Sequence, residues 1–270
     1  MKIAWCADLH LDHAGDEGFR RFAEEVNNSE ADMLVVCGDI CGGTALASWL
    51  GRLGGEIGCP VKFVLGNHDA YGQSLAAARQ TARDLSGRGI LLFDRTPNVS
   101  WLSDGTMETL SDDTILIGND GWYDARAGIV GRILMNDFKY IYELRTPYLI
   151  GGLHDEIKKI ADEAAKQLDE DLPKALGHRR KVILATHVPP FPQAAWHEGH
   201  QSDREYLPYF CSVCAGNVLV KHMEANSDKE LLVLCGHTHG KGKAQILPNL
   251  RVLTAGAQYG KPRLQGVIEI

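Results

Sequence analysis

The chain has 270 residues, 44% of them hydrophobic and 23% charged, enough to bury a full core and to build one large α/β domain, which is expected to run over 1–270. Its formal charge of −7 and isoelectric point near 5.9 provide no basic field for wrapping duplex nucleic acid, so long duplexes are excluded as partners while a small phosphorylated ligand is not. No apolar run approaches the roughly 18 residues of a membrane span, and the opening residues read as a strand rather than a secretory leader, so a cytoplasmic protein is expected.

The first strand, over 2–7, ends at Asp8, Leu9 and His10, and Phe19, Phe22, Ala23 and Val26 then recur at helical spacing within 16–28. The apolar run 33–37 ends at Gly38 and Asp39, and Thr44 is placed to cap a helix through about Leu53. The run 61–65 passes without a spacer into Gly66, Asn67, His68 and Asp69. Strands alternating with helices in this way imply parallel pairing. Residues 73–85 read as a helix, 90–92, 99–102 and 115–118 as strands, and 106–110 as a weaker one.

Beyond Asn119 the pattern changes: 129–142 and 153–168 read as helices, a helical insertion or flank at about 120–180. Strand texture resumes over 181–186, ending at His187, and 189–210 is irregular and rich in proline and aromatics, the composition of a pocket wall. A helix over 218–224 and a strand over 231–235 follow, the strand ending at Gly236, His237, Thr238 and His239, and 245–247, 251–255 and 266–270 close the chain as strands. Cysteine is odd in number, and Cys6, Cys37, Cys59 and Cys235 sit in or beside expected buried strands, where a reduced thiol packs as a small hydrophobe. Cys211 and Cys214 form a lone CxxC with no second pair to complete a zinc site, and are read as coincidence.

Five apolar strands therefore end in metal-competent groups: Asp8 with His10, Asp39, Asn67, His187, and His237 with His239. The carboxyl ends of parallel strands line the ligand crevice of open α/β sheets, so these endings are expected to converge. Residues two apart in extended chain point to the same side, which lets Asp8 and His10, and His237 and His239, each serve one ion cluster. Seven donors exceed a single tetrahedral metal. With one bridging carboxylate, for which Asp39 is the natural choice, they supply four ligands to each of two divalent cations, as in a binuclear hydrolytic site. Imidazole, carboxylate and amide without thiolate favour manganese, iron, zinc or cobalt over copper(I) or an iron–sulfur cluster. The same turn adds His68, an imidazole able to transfer a proton, and Asp69, a carboxylate able to hold that imidazole.

This ordered set, Asp8-x-His10, Gly38-Asp39, Gly66-Asn67-His68-Asp69, His187 and Gly236-His237-x-His239, resembles the calcineurin-like metallophosphoesterases over the span from Asp8 to His239. The resemblance implies a double-layered β-sheet sandwich flanked by helices, with a dimetal site at the strand ends. It implies Asp8, His10, Asp39 and His239 on one metal, Asp39, Asn67, His187 and His237 on the other, and His68 facing the substrate. Where the family often has an acidic residue two places after the bridging aspartate, this chain has Cys41. The expected activity is hydrolysis of phosphodiesters or phosphomonoesters by a hydroxide shared between the metals, with His68 as general acid for the leaving oxygen.

Two other readings stand beside it. One is a nuclease acting on short or single-stranded nucleic acid, and the other a non-catalytic scaffold of the same fold, which predicts eroded ligands where here every position is filled. For the substrate's organic part the sequence offers Trp122, Tyr123 and Trp196, with His197, His200, Tyr206 and Tyr209 nearby. These could stack a base or an aryl ester, or could cover the helical flank as ordinary core.

Overall fold

The computed structural model describes residues 1–86 and 98–270. In the first part of the chain β1 (Lys2–Cys6), α1 (Leu11–Asn28), β2 (Met33–Cys37), α2 (Leu46–Glu56), β3 (Val61–Val64), α3 (Leu75–Leu85) and β4 (Val99–Trp101) alternate, and β1 to β4 pair in parallel in that order. There follow β5 (Glu108–Thr109), β6 (Thr114–Asn119), α4 (Asp137–Tyr140), α5 (Tyr142–Ile150), α6 (Leu153–His178) and β7 (Lys181–Thr186). The remainder is a small hairpin of β8 (Trp196–His197) and β9 (His200–Gln201), then α7 (Leu207–Phe210), α8 (Val213–Ala225), β10 (Glu230–Cys235), β11 (Gly242–Leu247), β12 (Leu250–Thr254) and β13 (Gly266–Glu269). The second sheet has the order β11-β12-β10-β7-β6-β5, parallel from β12 to β6 with antiparallel edges, while β13 returns to the first sheet antiparallel to β1.

The central strands read as unbroken apolar runs because both of their faces are covered. Ile3, Trp5, Met33, Val35 and Val64 of the first sheet meet Leu116, Ile183, Ala185, Leu232 and Leu234 of the second in an apolar layer between them. Intervening residues turn the other way. Ala4, Cys6, Leu34, Val36 and Phe63 pack with Phe19, Phe22, Leu50, Leu53 and Ala82 of α1 to α3, and Val182, Leu184, Leu231 and Val233 pack with Leu168, Leu172, Leu219 and Met223 of α6 and α8. The architecture is thus helix, sheet, sheet, helix, in which each fully buried leucine or phenylalanine contributes about 1.5–3 kcal/mol of transfer free energy.

Several helix expectations are corrected. Thr44 is no cap: it lies within a 3-10 turn, Gly43–Ala45, and α2 starts after it with no side-chain cap among the described residues, whereas Ser74 caps α3 by accepting from the Ala77 N–H at 3.0 Å. The helix expected over 129–142 is reduced to α4. Gly128 and Gly131 take positive φ, 75° and 78°, and the Ile129 N–H donates to Arg204 O at 2.7 Å, so this backbone is committed to a loop partner. Conversely, α6 runs on past Leu168 and through Pro173 because Leu172, Ala175 and Leu176 continue its buried stripe. The strand expected at 90–92 lies outside the described residues. Among the described residues no helix is long and apolar enough to cross a membrane.

Candidate metal centre

The parallel strands of both sheets end at one rim, where their loops are stitched together. Asp8 N–H donates to Gly38 O at 3.0 Å, His10 N–H to Asp39 O at 3.1 Å, and Gly236 N–H to His187 O at 2.9 Å. Among the described residues eight non-glycines have positive φ, and five of them are Asp8, His10, Asp39, His237 and His239, with φ between 42° and 71°. Such conformations cost about 1–3 kcal/mol each and persist where the surroundings over-determine them. Two glycines let the loops interlock: a Cβ on Gly66 would stand 2.2 Å from Asp39 Oδ1, and one on Gly236 would stand 2.4 Å from Asp8 Oδ2. The residue before Asn67, and the one before His237, is therefore small because a carboxylate from another loop lies on it.

The seven side chains meet. Asp8, His10 and His239 bring ligand atoms within 4.8 Å of one another, as do Asp8, Asp39 and His187, and also His10, Asp39 and His68. Asn67 Oδ1 lies 2.9 Å from both His187 Nε2 and His237 Nδ1, and His10 Nε2 lies 3.1 Å from His239 Nε2. Asp39 addresses two sides, with Oδ1 3.4 Å from His187 Nε2 and Oδ2 3.8 Å from His10 Nε2. On the outer side, His187 Nδ1 donates to Cys37 O at 3.0 Å and His237 Nε2 donates to Tyr209 O at 2.7 Å. These carbonyls fix the tautomers and leave the inward nitrogens to take a cation, the usual outer support of metal-binding histidine. The outer nitrogen of His10, Nδ1, is buried and has no partner among the described residues. Oxygen and nitrogen acceptors facing one another this closely, from carboxylate, amide and imidazole, make a donor set that fits two divalent cations.

The electrostatics follow from burial. Burial lowers His10 and His237 to about 3 and His239 to about 4, so all three are neutral bases. Burial also opposes charge on His187, but the Asp39 carboxylate beside it raises that imidazole to about 10. Asp39, buried too, is held well below the usual carboxylate range by His187 and His68. Burial raises Asp8 to about 7. Without a cation, Asp39 is the carboxylate held firmly ionised, and His187 is the imidazole held charged beside it.

His68 stands at the margin, its side chain 18% exposed, its ring stacked on Tyr71 at 4.2 Å and its Nε2 4.0 Å from Asp39 Oδ2. Asp69 does not hold it, which corrects the expectation. Asp69 Oδ1 accepts from the Ile40 and Cys41 N–H groups at 3.0 and 3.1 Å, and Oδ2 accepts from the Gly66 N–H at 2.8 Å, so this carboxylate fastens two strand-end loops. Trp122 and Tyr123 are core residues, 4% and 0% exposed, and offer no open face for stacking a ligand. The Trp196 carbonyl accepts from the Gly240 N–H at 3.1 Å and its ring lies against Gly242, so it braces the loop that carries His239. Cys211 and Cys214 are free thiols and belong to none of the donor groups found among the described residues.

Sequence reasoning missed Tyr259. β12 runs parallel to β10, so the loop after it opens at the same rim. Tyr259, 46% exposed, sets its ring centroid 4.4 Å from His10, 5.1 Å from His239 and 6.2 Å from His68. Counting β12 as one more parallel strand end would have found it.

The structure is similar to a phosphopantetheinyl hydrolase from Mycobacterium tuberculosis, with a TM-score of 0.64 and 15% identity over 97% of this chain and 90% of that one. It is similar also to a dimetal phosphatase from Danio rerio, at 0.57 and 13% over 95% and 87%, and to a Thermus thermophilus protein, at 0.51 and 16% over 94% and 88%. At these identities the likeness speaks for the fold alone. No curated protein matches the chain in sequence. The family model described as calcineurin-like phosphoesterase matches residues 1–241, a span that contains every strand-end motif from Asp8 to His239, and the chain belongs to that family.

Proposed function

We propose that the protein is a dimetal-dependent phosphohydrolase acting on a small phosphomonoester or phosphodiester. In this reading Asp8, His10, Asp39 and His239 serve one cation, Asp39, Asn67, His187 and His237 the other, and His68 protonates the leaving oxygen. The observation that carries it is the meeting of these donors, from two sheets, in one buried group whose outer nitrogens at His187 and His237 are already occupied by backbone carbonyls. When bound, two divalent cations lower the pKa of water and hold the charge of phosphate oxygens.

The chain's own groups suit the remaining tasks. Asp39 points its oxygens at different donors, as a bridging carboxylate must, and His187 and His237 are locked in the tautomer that ligation needs. His10 and His187 are sealed, His239 is partly open but is counted among the cation ligands, and His68 is partly open and outside that set, so His68 is the imidazole free to meet a leaving group. The half-exposed ring of Tyr259 beside it gives an organic substituent a surface to rest on. A cytoplasmic location belongs to the same reading and is supported by seven cysteines that are all free thiols.

Metal analysis of the purified protein, followed by a screen of mono-, di- and cyclic phosphoesters with added manganese, tests the proposal. Two bound cations and metal-dependent hydrolysis are expected. No binding of manganese, iron, zinc or cobalt, with no turnover of any ester, would overturn it.

A further inference from the structure

Asp137 opens α4, in a stretch between β6 and β7 that carries no motif. It is fully buried, and among the described residues it takes part in no ion pair. A carboxylate removed from water without a cation loses several kcal/mol of hydration unless donors replace it. Three do. Oδ1 accepts from Asn67 Nδ2 at 2.9 Å and from the Tyr71 hydroxyl at 2.5 Å, and Oδ2 accepts from the Tyr123 hydroxyl at 2.7 Å. Each donor leads on to the metal centre. Asn67 Oδ1 faces His187 and His237, the Tyr71 ring is stacked on His68, and the Tyr123 ring lies 5.8 Å from that of His237 with only 16° between their planes.

We propose that Asp137 is a positioning residue of the metal centre: by accepting from the Asn67 amide nitrogen it fixes which end of that amide faces inward, so that the carbonyl oxygen and not the NH₂ is presented to the cation. The inference rests on the dimetal reading above. The two ends of a primary amide are nearly equal in shape, and two imidazole nitrogens on the inner side could be satisfied by an NH₂ as well as by an oxygen. An acceptor on the outer side removes that freedom. Turned over, Asn67 would set its carbonyl oxygen against the Asp137 carboxylate and offer the cation a group with no lone pair to give. Asp137 also adds negative charge beside a cluster whose own ligands supply only Asp8 and Asp39 against two divalent cations.

The test is manganese titration of the chelator-stripped full chain, read by calorimetry or equilibrium dialysis without substrate. Wild-type protein is expected to take two equivalents. Asp137→Asn, which keeps the volume, is expected to retain one site and to bind at the other about 10–100-fold more weakly, the usual consequence of losing an outer-layer partner of a ligand. Because Asp137 acts through Asn67, adding Asp137→Asn to Asn67→Ala should weaken the second site by no more than about twofold further. Wild-type affinity at both sites of Asp137→Asn, or losses that multiply in the double variant, would overturn the inference while leaving the dimetal reading intact. A wild-type chain that binds no cation would overturn both. If Asp137→Asn does not fold, Asp137→Glu, which keeps the charge but moves the acceptor by one methylene, goes through the same titration with the same expected loss.

Discussion

Loading the chelator-stripped protein with a divalent cation should release protons, and among the proposed ligands two residues supply them. At pH 7 the His187 imidazole, which Asp39 holds at about 10 against the effect of burial, is almost wholly protonated, and Asp8, raised by burial to about 7, is about half protonated. His10 and His237 at about 3 and His239 at about 4 are already neutral and release nothing. Ligation requires neutral imidazole and ionised carboxylate, so the protein gives up about one proton from His187 and about half of one from Asp8. A group whose pKa lies above the working pH must lose its proton to bind, so affinity rises with pH. Between pH 8 and 9, where His187 alone of these groups still carries its proton, affinity should rise about tenfold per unit, or about 1.4 kcal/mol. Below pH 6, where Asp8 is protonated as well, the slope approaches about two such factors per unit. Calorimetric titration in buffers of different ionisation enthalpy counts the protons. In stripped Asp39→Asn protein, burial acts unopposed by that charge, and the His187 ring followed by NMR should titrate below its position in the wild type. A wild-type binding heat that does not change with buffer, or an affinity that is flat from pH 8 to 9, would refute the Asp39–His187 pairing.

His68→Ala should keep its metals and lose roughly 10²–10⁴ in kcat on alkyl esters but far less on nitrophenyl esters, whose leaving group departs as a stable anion; equal losses on both would make His68 a positioning residue. Tyr259→Ala should raise KM for a bulky ester with little change on a minimal one, whereas Trp122→Ala, made in the core, should instead cost about 3–5 kcal/mol in denaturant unfolding; the reverse pattern would overturn both placements. Gly236→Ala drives a methyl into Asp8, so it should lower metal content with a stability loss of about 1–3 kcal/mol, and full metal occupancy in that variant would show that the Asp8 carboxylate can move aside.

The rim of the sandwich is legible in the sequence because each contributing strand is an apolar run that stops at a polar side chain, as at Cys6 before Asp8 or Cys235 before His237, and parallel pairing aligns such stops. Roles that depend on a partner far along the chain are not legible. Nothing beside His68 distinguishes an aspartate that holds an imidazole from one that, like Asp69, ties down the Ile40, Cys41 and Gly66 amides. Trp122 and Tyr123 follow a strand end just as the ligands do, and only the packing of Phe138 and Tyr209 with them in one core cluster puts them out of reach. Asp137 stands in a stretch without a site motif, and its meaning comes from Asn67, 70 positions earlier. The helical spacing over 129–142 is present in the residues but loses to the glycines at 128 and 131 and to the loop that receives the Ile129 amide.

The donors at the rim come from both layers: Asp8, His10, Asp39 and Asn67 leave the first sheet, and His187, His237 and His239 leave the second. Bound cations would therefore act as rivets through the sandwich, in addition to any chemistry they perform. The points they would join lie far apart in the chain, His10 and His239 being 229 residues from each other. A covalent link closing a loop of that length would restrict the unfolded chain by about 5 kcal/mol in the chain-entropy model, and a tightly held ion works in the same direction. Cohesion and turnover would then share one fastening, so that a change weakening ion retention loosens the seam between the layers at this rim while the apolar layer around Trp5, Val35 and Leu234 stays shut.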